Sequence, residues 1–362
     1  MSWVTMFPQC TNTLLIKDVG MVPYAYYKRT GDEASIVCYL GKKAFPFLKK
    51  EVAGLQIKGM KKYTGFLSID GILFLLKNAK KIDVLQLYHL TSSYNYWWVR
   101  MYKLLNSNGK VYLKLDTNYG MLQMELTKRQ KWLVNNIDLI SAEILDVSAR
   151  LEVRWQRKII YAPNGVYWNN YDIVKWTDKE DIILSVGRIG TFQKNTELLL
   201  QIFSDYQKLN DSYSLRIVGP IETGFREYIH QFFEKNPQLR CKVTFVGEVH
   251  DRKTLEDEYR RAKYFLFSSR WEGFGIALVE ALMGGCYIIS TEVDCLCTII
   301  DDKKYGVGFP LGNKRKGVEA LCEATARSEE EGKRVCQEAQ RYARESFNWE
   351  KIVQPIVDSL EK

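Results

Sequence analysis

The sequence predicts an α/β protein made of two doubly wound, parallel-sheet domains. Short β-prone runs alternate with helically spaced apolar runs, most cleanly over residues 182–290. Turn chemistry interrupts that alternation at Ala162-Pro163-Asn164-Gly165-Val166, and a polar, irregular stretch comes after it. With 362 residues and 46% hydrophobic content, the chain can bury two cores and is too apolar to be mainly disordered. Strand–helix alternation of this kind closes into parallel sheets with helices on both faces. The domains are expected at 1–163 and 164–347, with a terminal helix over 348–362.

In the first domain, Leu14 to Lys17 and Ser35 to Leu40 read as short buried strands, with a helix over 22–29 after a turn at Gly20. Residues 66–77 carry apolar side chains at helical spacing and predict a helix with one broad apolar face. Asp83 to Tyr88 reads as a central strand that delivers His89 to its carboxyl end, where open α/β sheets place ligand contacts. A lone histidine at a strand end also has a purely structural reading. The aromatic run 94–103 continues as a helix whose rings pack on the sheet, while Tyr94 and Trp97, nearest the strand end, are candidates for an acceptor pocket. Val111 to Leu115 is the next strand and ends at Asp116, which either faces the ligand or caps the helix expected over 122–135. Residues 137–140 and 159–161 supply the last strands.

In the second domain, strands are expected at 182–186, 215–218, 243–246, 264–267 and 287–290. The first ends in Gly187-Arg188, and six residues later Lys194 opens a helix. An Arg and a Lys on one strand-to-helix loop suit a diphosphate, the Arg through its planar fork and the Lys as a mobile charge. Gly219 ends the second strand and lets the backbone pass close to a ligand, and Val249 comes just after the third.

The stretch Arg270 to Gly285 reads as loop then helix. Gly273 and Gly275 allow a tight bend and close ligand approach, and the helix that starts there directs free N–H groups at the same place, which suits phosphate. Glu272 and Glu280 frame the loop. Carboxylates repel phosphate and suit sugar hydroxyls, so the combined ligand is a sugar nucleotide; the bland alternative makes Glu280 a solvated helix residue.

The spacing Glu272-x7-Glu280 within E-G-F-G-x-x-x-x-E-A-L, R-x5-K-N at Arg188 to Asn195 and P-N-G-V at 163–166 resemble the retaining glycosyltransferases of family 4. The resemblance implies the GT-B architecture, two Rossmann-like domains facing across a cleft, with the final helix after Phe347-Asn348-Trp349 crossing back onto the first domain. It also implies that Glu272 and the Gly273-Phe274-Gly275 backbone contact the donor sugar and phosphates, that Glu280 holds the ribose, that Val249 abuts the base, and that His89 contacts the donor sugar. The chain departs from the family at its first loop, Lys17-Asp18-Val19-Gly20-Met21, which is not glycine-rich; Gly20 there joins Tyr94, Trp97 and Asp116 as a candidate on the acceptor side.

The activity that the resemblance implies is retaining transfer of a sugar from a UDP- or GDP-linked donor to an acceptor hydroxyl on a glycan, glycolipid or glycoprotein, in bacterial surface polysaccharide or glycolipid assembly. Protein glycosylation is the alternative acceptor chemistry. Rival readings are a sugar-nucleotide epimerase, a phosphorylase, and a non-catalytic module binding nucleic acid or membranes. No G-x-G-x-x-G stands after the first strand of either half, which disfavours a dinucleotide-dependent oxidoreductase.

Three scattered histidines and eight cysteines without a C-x-x-C pair give no metal-ligand spacing, so no metal or cofactor is expected, and Cys295 and Cys297 read as packing residues. Without an apolar window of membrane-spanning length or a basic-then-apolar start, the sequence predicts a cytoplasmic protein. The net charge of +9 fits phosphorylated ligands or an anionic membrane, and no nucleic-acid module is present. Seven lysines in Lys42 to Lys62, interleaved with Phe45, Phe47 and Leu48, form either a solvated helix face or a patch that brings the protein to the inner face of a membrane.

Overall fold

The computed structural model describes residues 1–361. The chain divides into two compact units, Met1–Tyr167 with Phe347–Lys362, and Trp168–Ser346.

The first unit holds a seven-stranded sheet: β1 (Trp3–Met6), β2 (Ala34–Cys38), β3 (Gln56–Gly59), β4 (Val84–Tyr88), β5 (Lys110–Leu115), β6 (Leu139–Ala142) and β7 (Ile159–Tyr161). Their order is β3-β2-β1-β4-β5-β6-β7, and every pair is parallel. β1, β2, β4 and β6 are buried at every position, as strands covered by helices on both faces must be. The strand order reverses between β1 and β4, so the carboxyl ends of those strands flank a crevice suited to a ligand. The helix Trp349–Leu360 buries Trp349, Ile352, Val353, Ile356, Val357 and Leu360 in the same core as Trp3, Val22 and Tyr26.

The second unit repeats the plan with six parallel strands: β8 (Glu180–Val186), β9 (Ser214–Val218), β10 (Val243–Gly247), β11 (Ala262–Phe267), β12 (Tyr287–Thr291) and β13 (Gly306–Phe309). The order is β10-β9-β8-β11-β12-β13, with the reversal between β8 and β11. Their carboxyl ends carry the loops that begin at Gly187 and at Ser268.

Several sequence-based expectations change. The first strand is Trp3–Met6, whereas Asn12–Ile16 is a short 3-10 helix in which only Leu15 is buried. Gly20 is not in a turn; it is the third residue of the helix Asp18–Thr30, and an added Cβ would come 2.1 Å from the Leu15 carbonyl oxygen. The requirement there is close packing, so Gly20 gives no support for an acceptor contact. The helix expected over 122–135 is two, Gly120–Gln123 and Lys128–Asn136, because Thr127 and Gln130 form a reciprocal capping box that starts the second afresh. Strand β13 escapes the pattern because two of its four residues are glycine.

The Lys42 to Lys62 segment is not a helix. It contains the 3-10 turn Pro46–Lys49 and the edge strand β3, and Phe45, Phe47, Leu48 and Ile57 pack inward against the core. Its lysines are therefore not interleaved with an outward apolar face.

Candidate functional site

In the second unit the β8 and β11 loops are stitched together. Arg270 donates its backbone N–H to the Gln193 carbonyl (2.8 Å), Gln193 donates Nε2 to the Trp271 carbonyl (3.0 Å), and the Ser268 hydroxyl donates to the carbonyls of Lys194 (2.9 Å) and Asn195 (3.0 Å). This latch sets Lys194 Nζ 2.6 Å from Glu272 Oε1, a mostly buried ion pair, with the ammonium also 4.9 Å above the Phe267 ring. Asn195, at φ 51°, turns the chain into the helix Thr196–Gln207 immediately after Lys194.

Arg188 lies on the same loop, is exposed, and donates Nη2 to Gln193 Oε1 at 3.0 Å. A cavity of about 20 Å³, room for about one water, lies among Gly187, Arg188, Lys194, Ser268 and Ser269. The Ser269 hydroxyl is buried beside it with no hydrogen-bond partner among the described residues. Glu272 continues into Gly273, Phe274 and Gly275, and Gly275 at φ 73° opens the helix Ile276–Met283 without a side-chain cap. Phe274 is buried as a whole residue.

The glycines at the strand ends are needed sterically. Gly219 has φ 143°, and a Cβ there would lie 1.9 Å from the Gly187 carbonyl oxygen. Gly187 donates to the Val218 carbonyl and Gly219 to that of Gly247, so the three strand ends approach closely. Val249, half-buried, comes just after this bend, and Asp251 caps the helix Arg252–Arg261 by accepting from the Thr254 N–H at 2.8 Å.

Glu280 is buried and partnered within the protein. Arg252 Nη1 lies 2.6 Å from Oε1, and the Tyr259 hydroxyl donates to Oε2 at 2.8 Å. Burial works against the Arg252 charge, but the Glu280 carboxylate holds its pKa above the ordinary value; burial, with Glu280 adding to it, pushes the Tyr259 phenol well up. Glu280 is therefore not a solvated helix residue, although carboxylate lone pairs remain for a diol. Arg252 and Tyr259 carry no signal in the sequence, since both lie in an ordinary charged helix.

In the first unit, β4 and β5 end side by side. His89, at φ 61°, places Nδ1 2.9 Å from Asp116 Oδ2, and Asn95 Nδ2 holds the turn by donating to the carbonyls of Tyr88 and His89. The hydrogen bond to Asp116 raises the His89 pKa above its ordinary value. Burial pushes Asp116 up, yet the His89 hydrogen bond and charge leave it lowered overall. Beneath them Lys114 is fully buried, with Nζ 3.6 Å from Glu143 and 3.9 Å from Asp18. Burial pushes Glu143 up to about 7 and raises Asp18. Lys114, Glu143 and Asp18 escape sequence reasoning because an alternating strand gives no sign that one of its lysines points inward.

Tyr94 and Trp97 lie on the helix Ser93–Leu105. Tyr94 packs its ring 4.5 Å from that of buried Trp98, and Trp97 meets Tyr96 at the surface with Arg129 5.6 Å away.

Known proteins share this fold. Residues 167–345 match the model of the family described as glycosyl transferases group 1. That stretch is nearly coextensive with the second unit. An uncharacterised 41.2 kDa protein in the cps region of Klebsiella pneumoniae is 32% identical over 163 residues, 44% of this chain and 41% of that protein. The capsular polysaccharide biosynthesis glycosyltransferase CapH of Staphylococcus aureus is 27% identical over 172 residues, 46% of this chain and 47% of that protein. Each alignment thus spans less than half of the curated relative. Among solved structures, a glycosyltransferase from Rickettsia africae ESF-5 superposes with a TM-score of 0.77 at 15% identity, over 99% of this chain and 97% of that one. Anabaena Alr3699/HepE in complex with UDP gives 0.74 at 13% identity over 100% of both chains. The fold is the GT-B fold of these glycosyltransferases, and the second unit is what matches the group 1 glycosyl transferase family.

Proposed function

We propose that the chain is a retaining glycosyltransferase that moves a sugar from a nucleoside diphosphate sugar to an acceptor hydroxyl in bacterial surface polysaccharide or glycolipid assembly. The observation that carries this reading is the Lys194–Glu272 pair at 2.6 Å, built on two latched loops at the strand reversal and beside the uncapped helix start at Gly275. Negative charge grows on the diphosphate as it leaves. Lys194, Arg188 and the N–H groups just after Gly275 oppose that charge, and Glu272 offers its carboxylate to sugar hydroxyls. The departing phosphate oxygen takes the acceptor proton on the face it leaves, so the new bond forms with retention. No metal or cofactor is needed for these roles. HepE was solved with UDP and with UDP-glucose, which favours a uridine donor. On the first unit we assign His89, held by Asp116, to hydrogen bonding a sugar hydroxyl.

A thermal-shift screen against UDP- and GDP-linked sugars identifies the donor, because a ligand that binds only the folded state raises its stability. With that donor, Lys194→Ala and Arg188→Ala should each lower kcat by roughly a hundredfold. Full kcat in Lys194→Ala would remove the assignment. The anomeric configuration of the product, read by NMR, checks retention.

A further inference from the structure

The helix Leu67–Asn78 is apolar on two opposite sides. Its inward side presents Gly71 and Leu75, with Gly71 pressed so tightly on Trp98 that a Cβ would come 2.1 Å from the indole nitrogen. On the other side, Phe66, Ile69, Leu73 and Leu76 recur at spacings of three and four residues, which makes one stripe. Phe66 is 67% exposed, Ile69 44% and Leu76 53%. A helix on the surface of a globular unit normally turns charged residues outward there, so the stripe needs a covering partner.

Lysines surround the stripe: Lys61 and Lys62 before the helix, Lys77 on it, and Lys80 and Lys81 after it. Lys58, which also pairs with Glu33 at 2.6 Å, lines a cavity of about 290 Å³ with Lys61, Lys77, Tyr63, Asn78 and buried Asp70, whose carboxylate is taken up by protein donors. The approach to the stripe is fixed in place. Buried Asp70 accepts from the Tyr39 hydroxyl (2.8 Å), the Thr64 N–H (2.9 Å) and the Gly65 N–H (3.1 Å), which ties the turn carrying Phe66 to the body of the unit.

We propose that this helix is a docking surface for an anionic phospholipid bilayer. The stripe enters the acyl boundary, and the lysine-walled cavity takes a headgroup phosphate. Charge complementarity selects this occupant. A second copy of the chain would set lysines against lysines, whereas an anionic leaflet neutralises all of them. Among the described residues no helix is long and apolar enough to cross a membrane, so attachment here is lateral. The stripe belongs to the first unit and the assigned donor loops to the second, so the inference stands or falls independently of the glycosyltransferase reading.

Co-sedimentation of the full chain with vesicles of phosphatidylcholine alone, and with about a quarter phosphatidylglycerol, tests it. Binding should require the anionic lipid and weaken with salt, and it should fall about fivefold for each of Lys61→Ala and Lys77→Ala. Phe66→Ser with Leu76→Ser should abolish it while leaving thermal unfolding unchanged, since both side chains are exposed. The triple variant Lys42→Ala, Lys49→Ala, Lys50→Ala, on exposed positions that neither flank the helix in sequence nor line the cavity, should bind nearly as wild type. Equal recovery with both vesicles, or undiminished binding by the Phe66/Leu76 variant, would overturn the proposal. So would a wild-type dimer in light scattering that this variant converts to monomer, because the stripe would then be a self-association surface.

Discussion

At the scale of single residues, two acidic groups on neighbouring elements have different consequences. Glu272 faces Lys194 at the loop, whereas Glu280 neutralises the largely buried Arg252. Glu280→Gln strands that guanidinium with Glu256 as its remaining close carboxylate, so denaturant unfolding should show a loss of about 3 kcal/mol. Its donor KM should rise with little change in kcat, since a ribose contact is the same in ground and transition states. An unchanged stability would contradict the ion-pair role. His89 and Asp116 set a pH dependence. The folded-state pKa of His89 is raised, so the stability that the pair adds is fully present below the ordinary histidine pKa of 6.5 and is lost as pH rises through the higher folded value. Asp116 is lowered, so its contribution is lost as pH falls through the folded value below 3.8. NMR titration of the His89 ring should show its pKa fall in Asp116→Asn; no movement would mean that the 2.9 Å contact does not bear charge. Glu272, Lys194 and Arg188 are legible in the sequence because each stands after a strand at motif spacing. Lys114, Arg252 and Tyr259 are not, because inward-pointing polar groups depend on the packing of distant elements.

At the scale of elements, the second unit is the more readable. Its first five strands have long apolar runs and clean strand-to-helix turns, and β13 alone is hidden by its glycines. In the first unit, β1 is hard to read because its four residues begin near the chain start and, buried throughout, show no alternation, while Leu14 to Ile16 offers a more apolar decoy. Element ends also impose steric limits that sequence periodicity cannot express. Gly219→Ala would place a methyl against the Gly187 carbonyl in a backbone conformation that disfavours side chains. Urea unfolding should report a loss of roughly 2–4 kcal/mol, more than a surface Gly→Ala change produces. A gain in stability would show that the strand ends are not packed so closely.

At the scale of the whole molecule, two sheets with the same order of six strands, each reversing next to its first strand, place loops at two equivalent positions. The second unit fills its position with Arg188, Lys194, Glu272 and an uncapped helix, a set that opposes negative charge and offers a carboxylate to hydroxyls. The first fills its own with the His89–Asp116 pair over buried Lys114. The two-sheet plan is legible in the sequence because α/β alternation depends on local runs. The apolar outer stripe of the helix Leu67–Asn78 needs coordinates, since a buried and an exposed apolar side look alike in sequence. The proposed chemistry rests above all on Lys194 meeting the diphosphate of a nucleotide sugar. Isothermal titration of UDP into the wild-type chain and into Lys194→Ala tests that contact without an acceptor or a known sugar. Binding by the wild type should weaken at least about tenfold in the variant, the scale of one lost charge-assisted hydrogen bond. Equal affinity in the two proteins would contradict the assignment of Lys194 to the diphosphate.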